Sequence, residues 1–539
     1  MSMMDFSRQF NSRRSNVMGR NGMVATSQPL AAQAGLEILR AGGNAIDAAI
    51  ATVATLGVVE PAMTGVGGDA FALIWSAAEQ RLFGLNASGP APQALTADFV
   101  RHLNHPQFPR QGGLSVTVPG AVRGWELALE RFGNLPLARL LQSAIGYAEN
   151  GYPVSECVAN DWAEAQPLLA GHPDSRRVWL VNGRSPRPGH LFRNPELAAT
   201  LRYLADNGPD AFYSGPIARQ IADCVQADGG LLTTDDLKAY RAEWVEPISI
   251  EYRPGVRVYE IPPNGQGLTA LLALNIVKGF DVAAMGHGSY ELTHTLMEAI
   301  KLAFADAHAT IADPKRAAIP LAGLLSDSYA AERRRLIEPK SALLPVPGRP
   351  QPHGDTVYLT VADGAGNMVS WIQSLSSLFG SGLTAGTTGV TLQNRGANFS
   401  LEPGHPNEAA GGKRPFHTII PAFITRGGRP WVSFGMVGGF MQPQGHLQLV
   451  SNLVDFAMTP QAALDAPRFR WQQDRLFGLE AAFGDHMAAE LRRRGHEILP
   501  WAQAETLYFG GGQVIVRDGE TAVYVAGSEK RNDGTAVGF

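Results

Sequence analysis

The sequence predicts an α+β protein, and three observations carry that reading. Apolar residues recur at helical spacing through much of the chain, and β-branched and aromatic runs flank glycine-containing turns. No stretch of about 18 or more apolar residues offers a membrane span.

Taken in chain order, Ser27 before Pro29 marks a helix start. Leu30, Ala34 and Ile38 continue that helix, and Gly42-Gly43 stops it. Asn44 caps a second helix running to about Gly57. Its apolar run, 45–59, is interrupted by Asp47 and closed by Pro61, which makes it a buried core helix. Gly65-Val66-Gly67-Gly68-Asp69 breaks helix, and 71–75 with 81–85 read as paired strands. From 115 to 339 the chain reads as mainly helical. Pro119-Gly120 opens a helix over 121–132, and 291–309 is amphipathic, with Leu292, Leu296, Ile300, Phe304 and Ala307 on one face. Residues 262–267 form a loop. Pro345, Pro347, Pro350 and Pro352 make 341–354 an extended linker. Directly after it, 356–362 is a strand, 363–367 a turn, and 368–373 the partner strand. A second hairpin joins 514–516 to 522–525. Residues 418–424 are apolar enough for a strand, which Pro421 assigns to an edge or a bulge.

The 539 residues, 45% hydrophobic, can bury a large core. Length alone suggests about three or four domains, a rule that large α/β enzymes often break. A net charge of −4 without long charged runs leaves no electrostatic footprint for nucleic acid. Two cysteines, Cys157 and Cys224, exclude a disulfide framework and a cysteine metal cluster. Residues 1–20 are polar, carry Arg8, Arg13, Arg14 and Arg20, and lack the apolar core of a secretory signal, so a cytoplasmic location is expected. His294 and Glu298 stand at i,i+4 on a helix, with His308 beyond, but no second carboxylate or histidine completes a metal set. Neither a metal nor a cofactor is expected. Gly65-x-Gly67-Gly68 follows a helix and lacks the third glycine of a dinucleotide fingerprint.

Thr356 is the candidate for chemistry. A mid-chain threonine hydroxyl needs a base, and its own α-amino group, with a pKa of about 8, would suit if it were freed. That follows if Thr356 Oγ attacks the carbonyl of Asp355 and the resulting ester is hydrolysed. The linker before the site is flexible and the strand at it is rigid. Ser374 and Ser376, on or just after the partner strand, bring hydroxyls within reach. His353, next to the cut, reads as an exposed linker residue.

The chain resembles the gamma-glutamyltransferase family (glutathione hydrolases) of N-terminal nucleophile hydrolases. The resemblance rests on motifs in the family's order, covering roughly 16–539. They begin with Gly42-Gly43-Asn44-Ala45-Ile46-Asp47-Ala48-Ala49, Gly65 to Asp69, Val118-Pro119-Gly120 and Phe304-Ala305-Asp306. They continue through 356–363, Phe379-Gly380-Ser381-Gly382, Gly412-Lys413-Arg414-Pro415, Gly438-Gly439, Ala466-Pro467-Arg468-Phe469 and Asp533-Gly534. The resemblance implies a four-layer αββα sandwich and autocleavage of a zymogen at Asp355–Thr356. The products would be a large subunit, 1–355, and a small one, 356–539, intertwined in one catalytic unit. It implies Thr356 as nucleophile, Ser374 as its supporting hydroxyl, and the backbone N–H groups of Gly438 and Gly439 as the oxyanion hole. A helix over 443–454 would start beside those glycines. The implied activity is amide hydrolysis and acyl transfer through an acyl-enzyme, with small-molecule amides, water and amines as partners and no nucleic acid or membrane.

The sequence departs from the family where the substrate's acyl end is held. Ser88 falls where typical members have a carboxylate-clamping arginine, and Asn398 where an aspartate pairs with the ammonium. Arg395 replaces a glutamine, His417-Thr418 replaces a pair of serines, and Ser376 replaces an asparagine. A pocket with an added cation and no negative partner suits an acyl group that ends in a carboxylate and lacks an amine. Glutaryl amides fit, as in the acylase-like branch that includes cephalosporin acylases. Hydrolysis of γ-glutamyl compounds such as glutathione, with Arg395 in the old arginine's role, is an equal reading; the alternatives are a cephalosporin or glutaryl acylase without true γ-glutamyl transfer and an inactive relative that only binds. A short segment over 401–412 predicts an open, permissive site.

Overall fold

A computed structural model describes residues 14–344, 355–504 and 508–539. The linker prolines and His353 lie outside the described residues.

Two seven-stranded antiparallel sheets form the centre. The first runs, in spatial order, Thr535–Gly538, Gly22–Thr26, Asp355–Asp363, Met368–Ser376, Asp69–Ser76, Arg81–Ala87 and Glu243–Val245. The second runs Val17–Gly19, Tyr524–Ser528, Gly512–Arg517, Arg429–Met436, Pro421–Arg426, Val256–Glu260 and Ile248–Arg253. Period-two alternation sorts the central strands into two faces. Val357, Leu359 and Val361 join Ala70, Ala72 and Ile74 against the helices Pro29–Arg40, Ala45–Val59 and Ala121–Phe132. Tyr358 and Ala362 join Phe71, Leu73 and Trp75 on the other face, where they meet Phe423 and Ile515 of the second sheet. The outer face of that sheet packs on the helices Gly267–Val277, Tyr290–Thr310 and Met441–Val454. Three apolar layers therefore separate four structural layers, helix–sheet–sheet–helix, the expected αββα sandwich.

The same parity places Thr356 and Ser374 on the face between the sheets, two residues from Tyr358 and Ile372 respectively. The facing strand fixes where along the cleft they sit. Thr360 Oγ1 donates to Ser433 Oγ at 2.7 Å, and a side chain at Gly435 would strike the Tyr358 ring. The 429–436 strand, which leads to Gly438, therefore faces the 355–363 strand in antiparallel sense.

Most expected elements are present. Asn44 caps the second helix with a full capping box, its Oδ1 accepting from Ile46 and Asp47. The 363–367 turn is closed by Asp363, whose Oδ1 accepts from the Ala365 and Asn367 N–H groups. The helix beside Gly438-Gly439 begins earlier than expected, at Met441.

Three expectations are corrected. Gln28, not Ser27, caps the first helix, and Ser27 Oγ instead donates to buried Glu60. The 418–424 strand starts at Pro421 and lies inside its sheet rather than at an edge. A proline in first position forfeits no more than an end-of-strand donor. The 115–339 stretch also contributes the strands Glu243–Val245, Ile248–Arg253 and Val256–Glu260, of which 248–253 has the apolar–polar alternation of a half-buried strand. Among the described residues, no helix is long and apolar enough to cross a membrane.

Candidate active site

Thr356 lies where the Asp355–Asp363 and Met368–Ser376 strands lose regular register. Asp355 pairs with Ser376 and Val357 with Gln373, so Ser374 and Leu375 together oppose Thr356. Such a bulge re-aims side chains. Thr356 Oγ1 donates to Ser374 Oγ at 3.2 Å, and the Ser376 N–H donates to the same oxygen at 2.7 Å. Ser376 holds a left-handed φ of 84°, a strained conformation at the end of the bulge.

Arg395 completes the cluster. Its Nη2 donates to Ser374 Oγ at 3.2 Å and its Nη1 to Thr418 Oγ1 at 2.7 Å. It is fully buried, and among the described residues its Nε has no hydrogen-bond partner. Burial pulls the guanidinium down to about 10, against the opposing pull of Asp69, so it remains a cation at neutral pH. Hydroxyl groups, not carboxylates, hold this cation.

Behind it sits Asp69, also fully buried, the cross-strand partner of Ser374. Its Oδ1 accepts from the Gly89 and Gly120 N–H groups at 3.2 and 3.1 Å. Its Oδ2 lies 3.2 Å from His417 Nε2. His417 Nδ1 accepts from the Ile419 N–H, which makes Nε2 the protonated nitrogen. Burial, helped by Arg395 and Arg414, holds His417 well below the ordinary histidine range, so the ring is neutral. Burial pushes Asp69 up to about 7, and Arg395 and the two backbone donors partly offset that rise.

Gly438 and Gly439 follow the Arg429–Met436 strand and lead into the Met441–Val454 helix, with φ of 113° and 60°. Their carbonyls accept from Met441 and Gln442, while among the described residues neither glycine N–H donates to a backbone carbonyl. Two free donors beside a helix N-terminus are suited to an oxyanion. Gln266 Nε2 ties Thr418 to Gly439 by donating to both backbone oxygens, to Gly439 O at 2.9 Å.

Of the candidate residues, Thr356, Ser374, Ser376, Arg395, Thr418 and His417 form one connected set, joined to Gly439 through Gln266. Ser88 and Asn398 do not bond to it directly. Ser88 Oγ donates to Asn86 Oδ1 at 2.7 Å, and Asn398 Nδ2 donates to the Phe416 carbonyl at 3.0 Å. Asp69, Gln266, Asn264 and Arg414 carry structural roles here that were not assigned from sequence. Asp69 closes the glycine-rich 65–69 motif, and Arg414, in the 412–415 motif, donates to the Ser88 carbonyl at 2.9 Å. Those motifs were the available signal. Asp69 also corrects the expectation that the pocket has no negative partner, although its two oxygens are already engaged by three donors.

The expectation that no further histidine joins His294 and Glu298 is overturned. His496 Nε2 lies 2.8 Å from His294 Nδ1 and 3.7 Å from Glu298 Oε1, a spacing that could hold an ion. Lys301 Nζ, 2.6 Å from Glu298 Oε1, already supplies the cation there. The pair is fully buried and grips the chain ahead of the linker: Glu298 accepts from the Leu343 N–H and Lys301 donates to the Leu343 carbonyl. Lys301→Met strands a buried carboxylate and should destabilise the fold by about 3–5 kcal/mol, read as a lowered unfolding midpoint. An unchanged midpoint would show that Glu298 is not charged in the fold.

The αββα sandwich, with its candidate nucleophile on an inter-sheet strand, defines an N-terminal nucleophile hydrolase. The gamma-glutamyltranspeptidase family model matches residues 31–539, and the chain belongs to that family. It is 39% identical to the glutathione hydrolase-like YwrD proenzyme of Bacillus subtilis strain 168, over 97% of this chain and 99% of the relative. It is 37% identical to the acylase ACY 1 proenzyme of Pseudomonas sp. strain V22, over 91% and 89%. The crystal structure of cephalosporin acylase from Bacillus halodurans superposes with a TM-score of 0.92 at 48% identity, covering 100% of this chain and 99% of that one. By family the protein is an amide hydrolase and acyltransferase.

Proposed function

We propose that Thr356 severs the chain at Asp355–Thr356, separating 1–355 from 356–539, and then hydrolyses amides whose acyl group ends in a carboxylate. In the first reaction Thr356 Oγ attacks the Asp355 carbonyl carbon, the C–N bond breaks, and the acyl group moves from N to O. Water hydrolyses the ester and leaves Thr356 with a free amine. In turnover that amine accepts the Oγ proton, and Oγ attacks the substrate carbonyl. The Gly438 and Gly439 N–H groups receive the oxyanion, and the amine returns the proton to the leaving nitrogen. Water, or an amine in acyl transfer, then releases the acyl group.

The observation that carries the substrate reading is Arg395: a buried cation with an unpartnered Nε, one serine hydroxyl removed from Thr356 Oγ1. A substrate carboxylate would give that Nε a charged acceptor. Similarity to acylases, one described as a cephalosporin acylase, supports glutaryl-type groups. Similarity to a glutathione hydrolase-like relative supports the second reading, γ-glutamyl compounds. Against that reading, Asn398 supplies no charge for an ammonium, and its amide is turned to the Phe416 carbonyl.

Comparing hydrolysis of glutaryl-anilide with γ-glutamyl-anilide tests the choice. The glutaryl compound should be preferred, and Arg395→Gln should raise its KM about 10- to 100-fold, the value of one or two charge-assisted hydrogen bonds. A clear preference for γ-glutamyl-anilide would reverse the assignment.

A further inference from the structure

Asp69 is placed for a role that its position in a glycine-rich motif does not reveal. It touches neither Thr356 nor any group assigned to the reacting atoms, yet it flanks Arg395 from two directions. Across the strands it pairs with Ser374, which accepts from Arg395 Nη2. Through His417 it adjoins Thr418, which accepts from Arg395 Nη1. Arg395, Asp69, Ser374 and His417 are all fully buried, so little water screens their charges from one another.

We infer that Asp69 is a specificity-determining positioning residue whose protonation lets Arg395 accept a carboxylate-bearing acyl group. The inference rests on the proposed reading of Arg395 as the carboxylate anchor. A substrate carboxylate arriving at Arg395 makes two buried anions share one cation. The arrangement is relieved when Asp69 takes a proton from solvent, leaving the substrate as the sole anion. A neutral acyl group demands no such proton.

The surrounding charges favour Asp69 as the proton acceptor. Arg395 and Arg414 are cations, and His417 is held neutral. Tyr213 and Tyr240, which also face Asp69, have hydroxyls pushed far above their ordinary range by burial. Asp69 itself sits near neutrality before any substrate arrives. Its Oδ1 keeps both backbone donors in either state, so the proton falls on Oδ2; His417 accommodates it by moving its ring proton from Nε2 to Nδ1, which gives up the 3.4 Å hydrogen bond from the Ile419 N–H. The amine that scission frees at Thr356 would also titrate in this range, and replacing Asp69 separates the two.

The test is KM against pH, from about pH 6 to about pH 9, for glutaryl-anilide and for uncharged valeryl-anilide. For the wild-type protein, KM for the glutaryl compound should rise by about tenfold per pH unit above neutrality, while that for the valeryl compound stays flat. In Asp69→Asn the glutaryl rise should vanish. Calorimetric binding of glutarate near pH 7, in two buffers of different ionisation enthalpy, should show proton uptake that Asp69→Asn loses. A flat wild-type profile for the glutaryl compound, or a rise that persists in Asp69→Asn, overturns the role of Asp69. The wild-type comparison of the two anilides stands even if the variant does not fold. Arg395→Gln separates the failures. If it leaves glutaryl KM unchanged, the anchor itself is wrong. If it raises KM while the wild-type profile is flat, only the role of Asp69 fails.

Discussion

Replacing Thr356 with alanine is expected to leave a single chain of 539 residues and to lower amide hydrolysis by about 10⁴-fold or more. Both effects come from one atom. In the proposed chemistry Oγ1 is the nucleophile in scission and in turnover, and Ser374 Oγ, 3.2 Å away, cannot inherit the role because it has no amine of its own. A denaturing gel and a single-turnover assay read the two effects separately. Thr356→Ser keeps a hydroxyl beside the future amine and should restore both in part. Alanine substitution that spared either reaction would remove Thr356 from that step.

Gly438→Ala should lower kcat by about 10²- to 10³-fold while changing KM little, the signature of a lost oxyanion donor. A Cβ at 438 would lie 3.2 Å from both Gly510 Cα and Met441 Cβ, and the φ of 113° is one that alanine avoids. Relieving either strain is expected to displace the Gly438 N–H, the proposed oxyanion donor. If the proposed scission uses the same oxyanion donors, it should slow in parallel, visible as persisting full-length chain. Wild-type kcat in this variant would place the oxyanion elsewhere.

Much of the fold was legible because local signals and tertiary packing agree. The capping box at Asn44, the 121–132 helix and the 356–373 hairpin each carry their own start, stop and period. The strands at 243–260 were missed although 248–253 alternates apolar and polar residues; they are short, sit between helices, and find partners far away in sequence. Pro421 misled because sequence shows that a strand contains proline but not that the proline comes first. At the site, the bulge that turns Thr356 toward Ser374 depends on strand register, which neither strand declares alone. Asp69 and Gln266 were hidden for the same reason: each acts through partners hundreds of residues away or across a sheet, His417 for one and Gly439 for the other. The isolated pair His294 and Glu298 likewise gained its third member, His496, only through packing.

The proposed chemistry depends on the freed amine of one threonine. N-terminal sequencing of the mature protein looks for that amine directly. One fragment beginning Thr-Val-Tyr-Leu, from Thr356 onward, is the expected result. Mature, active protein that contains only the intact chain, or whose smaller fragment begins at a residue other than Thr356, would contradict it.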